Sequence, residues 1–424
     1  MDALTVSVLA DDLTGATDTV VQFREAGWPA YLLLSDQPPA AVLERADGVA
    51  LSRSLDTRAL THDHAQRATR DAVLQQLESG TDRLYLKIDS TMRGSVAGQV
   101  RGALQAWTRQ HPGAIAVLCP AYPQMGRVVR DGHVYVNGVP LHHSPAGRDP
   151  VTPVETSALA ELVPGAVHVP GADNAPALAD RLREAAPGGG VVVVDAADEQ
   201  DLRRLAEAAE LLDASAVWAG SAGLARHLAR VWRPAASVAP PPAATRVGPG
   251  RVVVCISSLN TVSLEQARHL ADTFGPDLVG HQLGVADLSD PSRLPERADD
   301  VVPGSDARVV LLQPDPRRAE DGDPTESARS VARGLGTVVA RLVEKGDVAG
   351  LVLVGGDGAE ATLQLLGAEA LEMRGQPSEG VPLTRVVGGS AAGLAVVTKA
   401  GGFGTTATIT EVVSAMLGHK EGPT

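Results

Sequence analysis

Cysteine is nearly missing from this 424-residue chain. The two present, Cys119 and Cys255, each lie in an apolar run, which excludes a disulfide scaffold and predicts reduced interior thiols. Aromatic residues are scarce as well: 3 Phe, 4 Trp and 4 Tyr are too few for a base-stacking platform, so a small polar ligand must be held by charge and hydrogen bonds. Cations fall short of anions, 37 Lys and Arg against 51 Asp and Glu for a net charge of −14, and no basic surface invites nucleic acid or anionic lipid. No apolar run reaches the ~18 residues that cross a bilayer. The opening MDALTVSVLADD has no basic start, so neither a leader nor a membrane partner is expected and the expected compartment is cytoplasmic. There is no Gly-Lys dipeptide and hence no G-x-x-x-x-G-K-[ST] phosphate loop. The 11 His are scattered, and neither His62 with His64 nor His142 with His143 shares a helix face with carboxylates, so no protein-built metal centre is expected.

Turns are abundant instead, with 44 Gly and 29 Pro. Short apolar runs (5–10, 31–34, 48–51, 83–88, 114–119, 191–195 and 216–220) alternate with stretches of helical period such as 15–27 and 62–78. Residues 234–250, PAASVAPPPAATRVGPG, read as a semi-rigid linker. Beyond it the alternation resumes, with strands expected at 251–256, 308–313, 350–354, 384–388 and 395–399, helices at 261–273, 325–344 and 359–371, and surface loops at 286–306 and 314–326. The expected fold is therefore α/β: two domains with largely parallel sheets, 1–233 and 251–424, joined by a Pro-rich linker, with the active site in the cleft between them.

In open α/β sheets, ligands bind beyond the carboxyl ends of strands. The first strand runs into Asp11-Asp12-Leu13-Thr14-Gly15, a carboxylate pair that either handles a hydroxyl proton or a cation, or serves as a helix cap beside a solvated Asp. The strand at 83–88 ends in Lys87, Asp89, Ser90, Thr91, Arg93 and Gly94, a density of charge and hydroxyl suited to an oxyanion. Arg127, after a Pro-braced loop, either completes that anion clamp or is a surface Arg. Gly220-Ser221-Ala222-Gly223 lacks the spacing of a hydrolase elbow and reads as a strand-to-helix turn that can approach substrate. In the second domain, Gly355-Gly356-Asp357-Gly358 and Gly401-Gly402-Phe403-Gly404 each follow a strand, and two such turns suggest a nucleotide. Gly356 to Ala361 also fits G-x-G-x-x-[GA], which keeps an NAD(P)-dependent dehydrogenase in view.

Taken together, ADDLTGATDTVVQF (10–23), LYLKIDSTMRGS (84–95), CPAYPQMGRVVRDGHVYVNGVPL (119–141), AGSAGLARHLA (219–229), VGGDGAEATL (354–363) and TKAGGFGTTATI (398–409) resemble, in order and spacing, the four-carbon acid sugar kinase family. The resemblance implies an N-terminal domain for a sugar acid such as threonate, erythronate or a 3-oxo-tetronate. It implies a C-terminal domain for ATP with substrate-borne Mg²⁺, a phosphoryl group passing to a terminal hydroxyl, and an assembly that can be a homodimer. By position it places Asp11 and Asp12 at the hydroxyl and metal, and Lys87, Asp89, Ser90, Arg93 and Arg127 around the sugar acid. It places Ser258, Gly355, Gly356, Asp357, Gly358, Gly401, Gly402 and Gly404 at the nucleotide. Five positions depart from the pattern the resemblance implies: Ile256-Ser257-Ser258 stands where Ser-Gly-Ser is usual, Gly358 for Thr, Ala400 for Ser and Thr17 for Asn. A missing hydroxyl donor at phosphate weakens binding by about 0.5–1.5 kcal/mol. A sugar-acid-binding relative without catalysis is the alternative that these departures raise.

Overall fold

The computed structural model describes residues 4–35, 38–39, 42, 48–149, 152–232, 246–290, 292–294, 299–301, 306–315 and 324–418. The chain forms two compact units, residues 1–32 with 44–239 and residues 33–43 with 240–424. Most of the linker expected at 234–250 lies outside the described residues.

In the first unit, strands β1 (Thr5–Ala10), β2 (Ala30–Leu33), β3 (Val49–Ser54), β4 (Arg83–Lys87) and β5 (Ile115–Cys119) precede an antiparallel excursion, β6 (Arg127–Arg130), β7 (His133–Val136) and β8 (Val139–Pro140). The strands β9 (Val167–Val169), β10 (Gly190–Val194) and β11 (Ala216–Gly220) then return to the main sheet, whose order is β2-β3-β1-β4-β11-β5-β10-β9. Pairing from β3 to β9 is parallel throughout. Such strands are covered on both faces, which is why their sequences read as unbroken apolar runs. The helices are α1 (Leu13–Glu25), α2 (His62–Glu78), α3 (Val96–Trp107), the single turn α4 (Leu159–Leu162), α5 (Ala175–Ala185), α6 (Glu199–Leu212) and α7 (Ala222–Val231). Side-chain caps start most of the long ones: Asp12 for α1, Thr61 for α2, Asn174 for α5, Asp198 for α6 and Ser221 for α7 each accept a first-turn amide. In this order β1 is flanked by β3 on one side and β4 on the other, so the chain leaves it in opposite directions and a crevice opens at its carboxyl end.

The second unit repeats that device. Strands β12 (Arg251–Ile256), β13 (Leu278–Leu283), β14 (Val309–Pro314), β15 (Val348–Val354), β16 (Ala370–Ser378), β17 (Val381–Val387) and β18 (Ala395–Lys399) take the order β13-β14-β12-β15-β18-β17-β16. The first five are parallel, and β17 and β16 are antiparallel additions. Helices α8 (Thr261–Phe274), α9 (Val285–Leu288), α10 (Pro324–Glu344), α11 (Gly356–Leu365) and α12 (Thr408–Leu417) cover the sheet. A core around Val252, Val254, Leu270, Val352, Val397 and Met416 lies beneath α8 and α12. Here β12 is the strand flanked on opposite sides, by β14 and β15.

Two expectations need correction. The helix expected at 359–371 is two elements: α11 begins at Gly356 and ends at Leu365, Gly367 turns the chain at φ +64°, and β16 follows in antiparallel pairing with β17. Its apolar residues satisfy both periods, and the long-range partner strand decides. The loop expected at 286–306 is interrupted at its start by α9.

Candidate functional site

The charges of the first unit meet at the carboxyl ends of neighbouring strands. Asp11 and Asp12 follow β1, Arg58 follows β3, and Lys87 closes β4 ahead of Asp89 and Arg93. Backbone bonds register these loops on one another: the Thr57 amide donates to the Asp11 carbonyl (3.0 Å), the Asp11 amide to the Lys87 carbonyl (3.2 Å) and the Ile88 amide to the Gly220 carbonyl (3.0 Å). Arg58 straddles the carboxylate pair, with Nε 2.7 Å from Asp11 Oδ2 and Nη1 2.7 Å from Asp12 Oδ2. The cap reading of the pair holds for Asp12, whose Oδ1 accepts the Gly15 amide at 2.6 Å, but its neighbour Asp11 is buried and not the solvated Asp that reading expected.

Asp11 is 1% exposed and its Oδ1 has no hydrogen-bond partner. Burial raises its carboxyl above the ordinary carboxylate range, against the pull of Lys87 and Arg58. The Lys87 ammonium lies against the start of α1: a Cβ on Gly15 would stand 2.8 Å from Nζ and 2.6 Å from Asp12 Oδ1, so only glycine fits there.

Asp89 accepts from Arg93 Nε at 2.5 Å and from Thr91 Oγ1 at 2.7 Å, and Arg93 Nη1 reaches Asp149 Oδ2 at 3.0 Å. Burial alone would raise the Asp89 carboxyl, but Arg58 and Arg93, with Lys87 behind them, outweigh it and hold it well below its usual value. The loop carries backbone strain at Met92, φ +55°, and half-buried Ser90 lies within it. Arg127 donates from Nη1 to the Met125 carbonyl at 2.5 Å, while its Nε is buried without an acceptor. Burial lowers its pKa, and the Asp89 carboxylate and Arg93 guanidinium are both near enough to be felt by it. The Ser221 hydroxyl faces inward, donating to the Ala121 carbonyl at 2.6 Å and accepting the Gly223 amide at 3.0 Å, so that turn presents backbone and no hydroxyl.

In the second unit the ends of adjacent β12, β15 and β18 converge. Gly356, exposed Asp357 and Gly358 form the first turn of α11 and not a preceding loop, and Gly355 before them has φ +108°. Ser257 lies over this turn: a Cβ at Gly358 would stand 2.3 Å from its Oγ. Ser258 abuts the other turn, its Oγ 2.0 Å from where a Cβ on Gly401 would be, while Gly402 faces Asn260 and Gly404 faces Thr408. Gly355, Gly358, Ser258, Gly401 and Gly402 thus pack against a partner loop, and Gly404 against the start of α12. Among the described residues no group of three His, Cys, Asp or Glu side chains forms a metal cage.

Sequence reasoning missed Arg58 and Asp149. Arg58 could have been found, since it follows a strand end; Asp149 lies 56 residues from its partner Arg93 with no local signal.

A family model for a sugar-binding N-terminal domain matches residues 6–228, and one for a nucleotide-binding C-terminal domain matches residues 253–409. A D-threonate kinase of Bordetella bronchiseptica is 39% identical over 414 residues, 94% of this chain and 94% of its own. A D-threonate kinase of Salmonella typhimurium is 30% identical over 434 residues, 96% of this chain and 97% of its own. A solved structure from Salmonella typhimurium shares the fold, with a TM-score of 0.78 at 24% identity, over 96% of this chain and 98% of its own.

Two outcomes follow from this geometry. Threonine at position 358 overfills the volume held by Ser257, so Gly358→Thr lowers stability by about 2 kcal/mol, roughly 4–8 °C in melting temperature. Adding Ser257→Gly should recover most of that loss, whereas additive losses would show that the two positions do not share the space. Asp89→Asn should lower stability at pH 7 by about 3 kcal/mol, read as a drop in melting temperature. Because the folded-state pKa is depressed, Asp89 stabilises above its unfolded value of about 4, and the contribution fades as pH falls below that. The gap between wild-type and variant melts should therefore narrow steadily as pH falls from about 4 toward the depressed folded-state value, and a gap that stays constant over that range refutes the ion-pair origin.

Proposed function

Because the chain belongs to the four-carbon acid sugar kinase family, whose members are phosphotransferases of four-carbon sugar acids, we propose that it transfers the γ-phosphoryl group of ATP to the terminal hydroxyl of D-threonate. The observation that carries the acceptor half is Arg127, whose buried Nε lacks an acceptor and whose guanidinium is near enough to Arg93 to feel it, a donor pair suited to a carboxylate. The donor half rests on the converging glycine turns, whose backbone fits phosphate oxygens. ATP supplies the activated phosphoryl group, and the Mg²⁺ it carries supplies charge neutralisation, with Asp12, 28% exposed, as the most open carboxylate of the cluster.

Within this reading Arg93 and Arg127 fix the acid's carboxylate and Lys87 offsets its charge. Asp12 receives the acceptor's terminal hydroxyl and takes its proton as the new O–P bond forms and the bond to the β-phosphate oxygen breaks, releasing ADP. Asp11 is too deeply buried to meet substrate, and it anchors Arg58 and Lys87. Nucleotide binds the second unit through its turns.

ADP release with Mg²⁺ and a panel of D-threonate, L-threonate, D-erythronate and 3-oxo-tetronates, each against a no-acceptor control, tests the proposal; D-threonate-dependent release is expected, and silence across the panel in protein that binds ATP overturns it. Asp12→Asn keeps the cap acceptor for Gly15 and removes the base, so kcat should fall by about 10²–10⁴ with ATP affinity within a few fold. A variant rate near wild type removes Asp12 from the chemistry.

A further inference from the structure

Lys399 ends β18 with a side chain that is only 4% exposed. It folds forward over the turn that follows: Nζ donates to the carbonyls of Ala400 at 2.7 Å, Phe403 at 2.8 Å and Gly401 at 3.3 Å. Two side chains of α8 pull on the same strand of backbone, Ser263 Oγ on the Gly401 carbonyl at 2.6 Å and Gln266 Nε2 on the carbonyls of Phe403 at 3.0 Å and Thr405 at 2.6 Å. Every described peptide bond is trans, and in a trans peptide the amide N–H points opposite to its carbonyl. Carbonyls of Ala400, Gly401 and Phe403 gathered inward therefore turn the amides of Gly401, Gly402 and Gly404 outward. No backbone acceptor takes those three amides among the described residues.

We propose that Lys399 is a positioning residue for the nucleotide phosphates: by holding three carbonyls it presents the amides of Gly401, Gly402 and Gly404 as an anion-binding nest. The proposal rests on the reading of the second unit as the ATP side. Lys399 itself does not touch the anion, since its ammonium hydrogens are committed to the turn. Burial lowers its pKa to about 8, with no carboxylate near enough to offset the loss of water, so the carbonyls are the ammonium's partners. The Phe403 ring of the turn packs against Gly380.

The test uses the full chain with Lys399→Met, which keeps the length and removes the donors, and Lys399→Gln, which keeps an amide donor without the charge. Calorimetry with ATP and Mg²⁺, calorimetry with D-threonate, and steady-state KM and kcat are read for each. The expected result is an ATP Kd and KM raised at least tenfold in Lys399→Met, a smaller rise in Lys399→Gln, and D-threonate affinity within twofold of wild type in both. If Lys399→Met does not fold, Lys399→Gln decides alone. ATP affinity within twofold of wild type in a folded variant overturns the role of Lys399, and so does an equal loss of both ligands, which marks a general structural defect. Wild-type protein that binds D-threonate but no ATP overturns the nucleotide reading of the second unit, and the nest with it.

Discussion

Two adjacent carboxylates at the end of a buried strand repel each other and, in the case of Asp11, have lost their water; Arg58 is what makes the arrangement tenable. One guanidinium serves both carboxylates at 2.7 Å and is near enough to Asp89 to be felt there. Its own proton is held more firmly than usual: burial works against the charge, but Asp11, Asp12 and Asp89 together overcome it. Arg58 arrives from the β3 loop, so its position depends on the parallel register that sets Leu9 beside Arg53 and Ala10 beside Ser54, and on the bonds that continue it from Leu55 to Ala10 and from Thr57 to Asp11. Removing one partner of a buried pair costs about 3–5 kcal/mol because the other charge is stranded. The strand order of the first unit is thus tied to the electrostatics of its crevice.

Under the proposed function the two units meet anions by different physics. In the first, fixed side-chain charges dominate, and bidentate guanidinium groups discriminate a planar carboxylate by geometry. In the second, the cation points away from the turn's open face and works on the backbone, leaving neutral amides to face outward. Amides in a glycine turn suit the many oxygens of a polyphosphate, since each donor is weak and the surface they form is adaptable. A chain with 14 more acidic than basic residues concentrates its useful cations at the first site.

Much of this was legible in the sequence where the determinant is local. Helix α2 spans His62–Glu78 as its period predicts, because Ala65, Ala72, Val73 and Leu77 form one buried stripe and Thr61 caps the start. The central parallel strands were legible because burial on both faces leaves no polar alternation to mislead, whereas the edge strands β9 and β13, more exposed and carrying His168, His281 and Gln282 among their apolar residues, were not. Arg58 was not, since its proximity to Asp11 follows from β3 pairing with β1, a choice made across some 45 residues of chain. The same limit applies to the start of β16: the helix expected at 359–371 takes in Ala370 and Leu371, and antiparallel pairing with Val387 and Val386 of β17 sets them extended.

The departures at the nucleotide side show why counting side chains by position misleads. A serine at 257 and a glycine at 358 look like two independent changes in the sequence, one gained hydroxyl and one lost. In the fold they occupy one volume: Ser257 Oγ sits 2.3 Å from where a side chain at 358 would begin, and its hydroxyl donates to the Val354 carbonyl at 3.1 Å. Ala400 contributes its carbonyl, which Lys399 holds, and a serine side chain there is not what shapes the turn. Thr17, 3% exposed, returns its hydroxyl to the Leu13 carbonyl at 2.7 Å inside α1, so its polarity is spent within the helix and does not reach the carboxylate cluster. A turn that works through backbone amides tolerates side-chain exchange as long as its carbonyls stay anchored, and at 399, 263 and 266 the anchors are present.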